Sequence, residues 1–402
     1  MQLRHAAVLI AALAMLGAIN AVGGDTIQEF LSHHWRRPLA PQGPQPARFS
    51  PLEASLEPEA CGTCHPAQLA DWKTSLHSRS MGPGIAGQLV EMLESDPGSA
   101  LACFTCHAPL AEQLPRVMER DRVSPNPVYD AALGPRGLVC AGCHVRGHQR
   151  FGPPRRDGSL TSSAPREALP HNGVTRTPAF LRSEFCQSCH QFTPDGFVLN
   201  GKLLENTYNE WKASRFAREG VHCQDCHMPD RRHLWRGIHD PEMVRSGLTI
   251  DARTDAERYR PGDTISVTLT VQSTQVGHAF PTYVTPRVVL SAELVDEAGE
   301  VIAGSREERV IAREVTLDLA REVSDTRLMP GKKAVLHYRR RVDRPGLRAR
   351  LSVVVYPDEF YTRFFESLLA QGAGRGEAEI REALTATRRS SFTAFEREIP
   401  LT

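Results

Sequence analysis

The pentapeptide Cys-Gly-Thr-Cys-His at residues 61–65 is followed by four more pentapeptides that share its two cysteines and final histidine. They are Cys-Phe-Thr-Cys-His (103–107), Cys-Ala-Gly-Cys-His (140–144), Cys-Gln-Ser-Cys-His (186–190) and Cys-Gln-Asp-Cys-His (223–227). All 10 cysteines of the 402-residue chain lie in these five motifs. Cys-x-x-Cys-His is the attachment signature of c-type haem, because two thiols at this spacing can bond the two vinyl groups of one porphyrin. The pattern therefore predicts five covalently attached haems.

Each motif assigns its residues a role in the attachment of one haem. The histidine that ends a motif would be the proximal ligand of the iron, a common way for proteins to hold haem iron. The predicted attachment residues are Cys61 and Cys64, Cys103 and Cys106, Cys140 and Cys143, Cys186 and Cys189, and Cys223 and Cys226. The predicted proximal ligands are His65, His107, His144, His190 and His227.

Three other uses of paired cysteines explain the pattern less well. Zinc ribbons need pairs of Cys-x-x-Cys units, and five is an odd number. A disulfide framework is compatible with an exported protein but gives no reason for a histidine after every second cysteine. A thioredoxin-like redox motif is expected once, beside a βαβ pattern. Covalent haem remains the prediction.

Charge and composition are consistent with a haem-rich core. The formal net charge is +1, which does not favour nucleic acid or an acidic partner. Aromatic residues make up only 6% of the chain, and porphyrins would supply the large apolar bodies that the core lacks. Five motifs within residues 61–227 leave too little chain to isolate each haem. The haems must pack against one another, which is the arrangement that passes electrons along a chain.

The first 24 residues have the pattern of an export segment. A short basic start at Arg4 precedes an apolar run at 6–22, and small residues follow at Ala21 and Gly24. This pattern is typical of a cleaved signal peptide. The run is also at the short limit of a transmembrane helix, so a retained membrane anchor remains open. Both alternatives place the rest of the chain outside the cytoplasm, in the periplasm or at the cell surface.

The remaining sequence predicts an α+β multidomain protein. A proline-rich extended linker is expected at 25–58, and a mainly helical, loop-rich pentahaem domain at 59–245. A β-sandwich-like domain with C-terminal helices is expected at 246–402. Predicted helices lie at 68–77, 85–93, 110–119, 208–218, 360–371 and 377–388, and a long loop at 145–180 is expected to wrap the haems. Predicted strands lie at 264–271, 287–295, 334–342, 350–356 and 391–400.

The sixth ligand of each iron is sought among the histidines outside the motifs. The candidates are His77, His148, His171, His233, His239 and His278. Of His233 and His239 one is expected to be a ligand, with His233 preferred. His278 follows the first strand of the β-domain in Gln-Val-Gly-His-Ala-Phe-Pro-Thr, and would bring a ligand from that domain to a haem. His33 and His34 are expected to lie in solvent.

The order of these residues resembles the multihaem cytochrome c superfamily, which includes the tetrahaem cytochromes of ammonia oxidisers, hydroxylamine oxidoreductase and pentahaem nitrite reductase. The resemblance covers about residues 55–245 and rests on Trp72-x-x-Ser75-x-His77 after the first motif and on Cys-Gln-Asp-Cys-His-Met-Pro at 223–229. Gly-His-Ala-Phe-Pro-Thr is similar to a stretch in multihaem cytochromes with a C-terminal β-domain. The resemblance implies closely stacked, mainly bis-histidine haems, with His77 as a distal ligand.

Two departures from that superfamily bear on activity. Pentahaem nitrite reductase has one motif that ends in lysine and leaves an open iron, whereas all five motifs here end in histidine. Hydroxylamine oxidoreductase has more haems and a tyrosine linked to its catalytic haem. Only Tyr129 and Tyr208 precede the predicted β-domain, and nothing in the sequence marks either for that role. A shared fold does not carry an activity across.

Three functional hypotheses follow from the sequence. The first is an electron-transfer protein between a membrane donor and an external or periplasmic acceptor protein. The second is an oxidoreductase with one open haem that acts on a small nitrogen or sulfur compound. The third is a subunit of an extracellular haem filament, in which His33 or His34 would bind a haem of the neighbouring subunit.

Overall fold

A computed structural model describes residues 26–120, 122–256 and 259–401. The export segment predicted at 1–24 lies outside these residues. The chain divides into two compact units: unit 1 takes Met1–Met81, Pro97–Ser188 and Arg231–His233, and unit 2 takes Gly82–Asp96, Cys189–Asp230 and Leu234–Thr402. Among the described helices, none combines the length and the apolar character needed to cross a membrane.

Unit 1 is built from short helices joined by loops. Several of these helices begin at a proline, whose fixed φ and missing N–H suit the first helical position. The helices are 26–34, Pro51–Ala54, Pro58–Gly62, Pro66–Thr74, Pro97–His107, Cys140–His144 and Glu184–His190, the last of which ends beyond the unit boundary. Short 3-10 turns occur at His77–Arg79, Ala111–Gln113, Gly134–Arg136, Arg166–Ala168, Pro170–Asn172 and Pro178–Leu181. The strands are Arg116–Glu119 with Arg122–Pro125, and Val145–Arg146 with Gln149–Gly152 and Val174–Arg176.

The segment predicted as an extended linker is partly helical and packed. Residues 26–34 form a helix, and 36–50 contain neither helix nor strand. Leu31 of this helix is buried in a cluster with Ala179, Phe180 and Phe185. The proline-poor start of the segment therefore forms part of the core of unit 1.

A helix predicted at 110–119 is wrong. The structure has a single 3-10 turn at Ala111–Gln113, followed by the strand Arg116–Glu119. Pro115 lacks the N–H that a continuing helix would need. Gln113 is fully buried, and its Nε2 donates to the carbonyl oxygens of Leu133 and Gly137. The side chain of Gln113 thus stabilises the turn in addition to the turn's own backbone hydrogen bonds.

Unit 2 combines helices with most of the sheet structure. Its helices are Pro83–Ser95, Thr207–Lys212, Arg215–Arg218, Cys223–His227, Pro241–Gly247, Glu359–Gln371 and Glu377–Arg389, with 3-10 turns at Gly374–Gly376 and, across the unit boundary, Pro229–Arg231. A small hairpin pairs Val198–Leu199 with Lys202–Leu203. Eight longer strands are β1 (Leu248–Thr254), β2 (Thr264–Ser273), β3 (Arg287–Val295), β4 (Glu307–Val315), β5 (Glu322–Asp325), β6 (Lys333–Arg341), β7 (Leu347–Tyr356) and β8 (Phe392–Leu401).

These eight strands form two antiparallel sheets that share one core. The strand orders are β5-β4-β3-β7-β8 and β6-β2-β1. Alternate residues of β2, such as Ile265 and Leu269, are fully buried and share a core with Leu290 and Leu351 of the larger sheet. The mixed α/β class is confirmed. Strands β2, β3, β6, β7 and β8 lie where the sequence predicts them, whereas β1, β4 and β5 were not predicted.

A buried arginine ties the small hairpin to the larger sheet. Arg313 of β4 is 1% exposed, and its Nε donates to Glu322 Oε2 at 2.9 Å. Its Nη1 donates to the carbonyl oxygen of Leu203 at 2.7 Å, and its Nη2 to that of Leu199 at 3.2 Å. The guanidinium thus satisfies backbone acceptors of the hairpin that strand pairing leaves over.

Replacing Arg313 with methionine should destabilise the holoprotein by about 3–5 kcal/mol, because Glu322 Oε2 and the carbonyl groups of the hairpin lose their donor. Arg309 lies on the same strand, is exposed, and donates to a single carbonyl group. Arg309→Met should change the free energy of unfolding by no more than about 0.5 kcal/mol. Chemical denaturation of both variants measures the difference, and equal effects would contradict the role assigned to Arg313.

Candidate haem-binding sites

Each Cys-x-x-Cys-His motif lies on a turn of helix. Four motifs end a helix, at His107, His144, His190 and His227. In the first motif the N–H of His65 donates to the carbonyl oxygen of Cys61 at 2.9 Å, which is the same helical turn. Residues three apart lie on one face of a helix, so both thiols of a motif face the same side. This arrangement allows two thioether bonds to one porphyrin.

The cysteines do not form the arrangements that the alternatives require. None of the ten cysteines, all of which the structure describes, forms a disulfide. Within the described ranges, no group of three or more His, Cys, Asp or Glu side chains has the geometry of a metal site. Cys61 and Cys140 belong to different motifs, yet their hydrogen bond raises the pKa of the Cys140 thiol. The first and third attachment sites are therefore neighbours in unit 1.

Three proximal histidines are held through Nδ1. The Nδ1 of His107 donates to the carbonyl oxygen of Ser80 at 2.7 Å, and that of His144 to Phe151 at 2.8 Å. The Nδ1 of His227 donates to the carbonyl oxygen of Arg236 at 2.5 Å. A carbonyl group can only accept, so the proton is on Nδ1 and Nε2 carries a lone pair. This is the usual outer contact of a metal-binding histidine, because it fixes both the tautomer and the ring orientation.

In unit 2 the His278 ring faces the proximal His227. The ring centroids are 6.2 Å apart, and the ring planes differ by only 13°. The Nδ1 of His278 donates to the carbonyl oxygen of Ala279 at 2.8 Å, so Nε2 is again the nitrogen with the lone pair. Two imidazoles on one metal ion have centroids about 6 Å apart, since each metal–nitrogen bond is about 2 Å and each nitrogen lies about 1 Å from its centroid. The pair fits one haem iron.

A second pair, His144 and His233, has the same spacing in unit 1. The ring centroids are 6.2 Å apart, with an angle of 36° between the planes. The Nδ1 of His233 donates to the carbonyl oxygen of Arg231 at 3.1 Å. The ring of His144 also stacks on Phe180, with centroids 5.1 Å apart. Both histidines therefore present Nε2 and fit one iron in the same way.

Burial favours the neutral form of two proximal histidines, His144 and His227. It lowers the pKa of His144 to about 4, with a smaller contribution from His233 in the same direction. Burial also lowers the pKa of His227 to about 4, and His278 adds to this shift. A neutral imidazole is the form that binds a metal.

The other candidates for sixth ligands differ in which ring nitrogen is engaged. The Nδ1 of His171 donates to the carbonyl oxygen of Gly173 at 3.3 Å. His77 begins a 3-10 turn, and its carbonyl oxygen accepts from the N–H of Leu138 at 2.9 Å. By contrast, His148 uses Nε2 to donate to the carbonyl oxygen of Gly43 at 3.1 Å. His239 uses Nε2 to bind the carboxylate of Asp358 at 2.9 and 3.0 Å.

The expectation that His34 lies in solvent is wrong. His34 is 3% exposed, and its Nε2 donates to the carbonyl oxygen of Cys143 at 2.9 Å. Its ring stacks on Phe30, with centroids 4.8 Å apart. The signal was present in the sequence, because Ile27, Phe30 and Leu31 precede His34 at helical spacing. His33 is exposed, as expected. Of the two residues considered for binding a neighbour's haem, His34 is thus engaged within its own chain, whereas His33 is exposed.

Part of the sequence is similar to known cytochromes. Residues 60–126 match the family model of cytochrome c554 and c-prime. A curated cytochrome c-552 from Aliarcobacter butzleri (strain RM4018) is 26% identical over 188 residues, which are 44% of this chain and 36% of that protein. The chain thus matches about a third of the length of this relative.

A solved structure shares the fold over most of the chain. The penta-heme cytochrome c552 from Thermochromatium tepidum superposes with a TM-score of 0.62 at 18% identity, over 88% of this chain and 100% of that one. At this identity the likeness concerns the fold alone. The five haem-attachment motifs, the family-model match and the similarity to the curated cytochrome c-552 support a multihaem cytochrome c.

Proposed function

We propose that this chain is an electron-transfer protein with five haem c groups, most of them held between two histidines. The observation that carries the proposal is that imidazoles face each other in two places, His227 with His278 and His144 with His233. In both pairs the ring centroids are 6.2 Å apart. An iron bound on both faces exchanges electrons but has no open position for a substrate. Haem iron supplies the one-electron chemistry, and the protein sets its ligands and surroundings.

The side chains around each pair act by holding the imidazoles still. Carbonyl acceptors on Nδ1 fix the rings of His144, His227, His233 and His278 in both oxidation states. A fixed ligand set needs little rearrangement when an electron arrives or leaves. The same contacts favour the neutral tautomer that presents Nε2 to the metal.

Electrostatic interactions between histidines indicate which haem sites would be neighbours. In unit 1, His171 has a pKa lowered first by burial and also by His65, so these two residues are neighbours. In unit 2, burial lowers the pKa of His278, and the hydrogen bond to the Ala279 carbonyl opposes this shift. His190 also lowers the pKa of His278. We infer that His171 pairs with His65, and that the haems of motifs 4 and 5 lie side by side.

The proposed sixth ligands are His77, His171, His233 and His278. We do not assign His148 or His239 this role, because their Nε2 atoms are hydrogen bonded to Gly43 and Asp358. This leaves four sixth ligands for five irons. The iron of the fourth motif, which is bound by His190, has no histidine assigned to its other face.

That count favours a second candidate function, an oxidoreductase with an open iron at His190 that acts on a small nitrogen or sulfur compound. Burial raises the pKa of Glu205, and His190 opposes this shift, so the carboxyl group lies near that histidine. Tyr283 lies near Glu205 and lines a cavity of about 150 Å³ together with Phe360 and Tyr361. These groups would supply an acid and a small apolar space beside the open iron.

The proposal places the protein in the cell envelope. Covalent haem attachment takes place outside the cytoplasm, and the pattern of residues 1–24 is that of an export segment or anchor. The partners would be a membrane electron donor and a periplasmic or external acceptor protein.

The mature holoprotein should carry five haems and take up five electrons per chain. Intact mass and haem absorbance measure the first number, and a potentiometric titration measures the second. If the fully reduced protein is reoxidised by an electron-transfer partner but not by nitrite, hydroxylamine or sulfite, the electron-transfer proposal stands. Rapid reoxidation by one of these compounds would favour the second candidate, and fewer than five haems would contradict both.

A further inference from the structure

A carboxylate accepts a hydrogen bond from the backbone beside three of the proposed sixth ligands. In each case the accepted N–H belongs to the histidine itself or to the next residue. The contacts are Glu53 Oε1 with the N–H of His171 at 2.7 Å, Asp71 Oδ2 with the N–H of His233 at 3.0 Å, and Glu210 Oε2 with the N–H of Ala279 at 3.1 Å. The three carboxylates lie on different segments, so the pattern is not a local turn preference.

The contact at Glu210 is the most enclosed of the three. Glu210 is 5% exposed and lies on the helix Thr207–Lys212, between the fourth and fifth haem motifs. Its Oε2 also accepts from Thr282 Oγ1 at 2.8 Å. One carboxylate oxygen therefore holds both ends of the segment from Ala279 to Thr282, immediately after His278.

Arg327 binds the other oxygen of the Glu210 carboxylate. Arg327 Nη1 donates to Glu210 Oε1 at 3.0 Å and to the carbonyl oxygen of Thr282 at 3.0 Å. Asp325 binds the same guanidinium through Nε and Nη2 at 2.9 and 3.0 Å. With this partner the charge of the buried Glu210 is compensated, as a buried carboxylate requires.

One residue, Ala279, links the Glu210 carboxylate to the imidazole of His278. Glu210 binds the N–H of Ala279, and the carbonyl oxygen of Ala279 accepts from Nδ1 of His278. Gly277, on the other side of the histidine, packs against Trp211 and Phe216, which a Cβ atom at this position would meet at 3.4 and 3.5 Å, ordinary van der Waals distances. The position and rotation of the His278 ring are therefore set by groups on and just after the helix that carries Glu210.

We propose that Glu210 is a positioning residue that holds His278 on the iron of the fifth haem. This inference rests on the proposed ligation of that iron by His227 and His278. Without the carboxylate, the Ala279 N–H loses its buried acceptor, and the Thr282 hydroxyl group keeps only its contact with Thr207 Oγ1 at 2.8 Å. His278 should then leave the iron in a large share of the molecules.

The test compares five holoproteins, wild type and four variants. His278→Ala removes the ligand itself, Glu210→Ala removes the carboxylate, and Glu210→Gln keeps its volume but not its charge. Glu322→Gln is a separate matched control, because Glu322 is an equally buried carboxylate paired with Arg313 that contacts no histidine loop. The readouts are the high-spin ferric signal in electron paramagnetic resonance and the number of carbon monoxide molecules bound per reduced chain.

We expect His278→Ala to add one high-spin haem and one bound carbon monoxide per chain. Glu210→Ala should add most of one high-spin haem, Glu210→Gln a smaller share, and Glu322→Gln none.

If His278→Ala adds no high-spin haem, the ligand assignment fails, and with it the proposed function of this pair. If His278→Ala behaves as expected but Glu210→Gln and any foldable Glu210→Ala protein match wild type, the positioning role alone is overturned. A high-spin signal in Glu322→Gln would also overturn it, since general destabilisation would then explain the effect.

Discussion

Replacing both Cys140 and Cys143 with serine should yield a chain that carries four haems and is strongly destabilised. The third motif lies in the core of unit 1, where Ala141 and Gly142 are buried and Cys143 packs against the Phe180 cluster. A porphyrin is larger than any aromatic side chain, and such a side chain already buries about 200 Å². At about 25 cal/mol per Å² of buried apolar surface, the loss of the porphyrin should cost at least about 5 kcal/mol of stability.

Intact mass and thermal unfolding of the purified variant measure both effects. Cys64→Ser is the control, because this thiol is exposed and Cys61 leaves one thioether to hold the first haem. The control should keep five haems and nearly the wild-type melting temperature. A double variant with five haems, or with wild-type stability, would show that the third motif does not hold a haem in the core.

The second large effect is expected at His233, with His239 as the matched control. His233→Ala should convert one low-spin haem per chain to high spin, because it removes the imidazole that faces His144 at 6.2 Å. His239→Ala should leave the number of low-spin haems at the wild-type value, since the Nε2 of His239 is bound to Asp358. Both residues lie in one short stretch, so the comparison separates ligation from local disturbance.

Magnetic circular dichroism of the two oxidised variants records the change in spin state. The reverse result, with high spin in His239→Ala only, would mean that the Asp358 contact does not persist when haem is bound. No change in either variant would remove both residues from the ligand set, and His148 would have to be reconsidered.

The parts of the fold that follow from local pattern were predictable. The alternation in Thr264–Ser273 gives one buried and one solvent-facing set of side chains, and the structure has a strand there. The same holds for the helix Glu377–Arg389, whose apolar residues repeat at helical spacing. Strand β4 was missed because Glu307, Glu308 and Arg309 give it no apolar start, and its buried residue Arg313 needs partners far away in sequence.

The haem motifs were predictable for the same reason, since each is complete within five residues. The choice among the candidate sixth ligands was not, because it depends on which ring nitrogen meets a distant group. His148 is engaged by Gly43, and His239 by Asp358, each more than a hundred residues away. The carboxylates beside the ligand loops were also missed, since Asp71 and His233 are 162 residues apart.

The most direct test of the account is electron paramagnetic resonance of the oxidised wild-type protein at low temperature, with haem content measured on the same sample. The account predicts low-spin ferric signals that sum to at least four haems per chain. A fifth low-spin haem would support electron transfer alone, and one high-spin haem would support an open iron at His190. High-spin signals from two or more haems would contradict the account, because at least one of the four proposed sixth ligands would then not bind an iron.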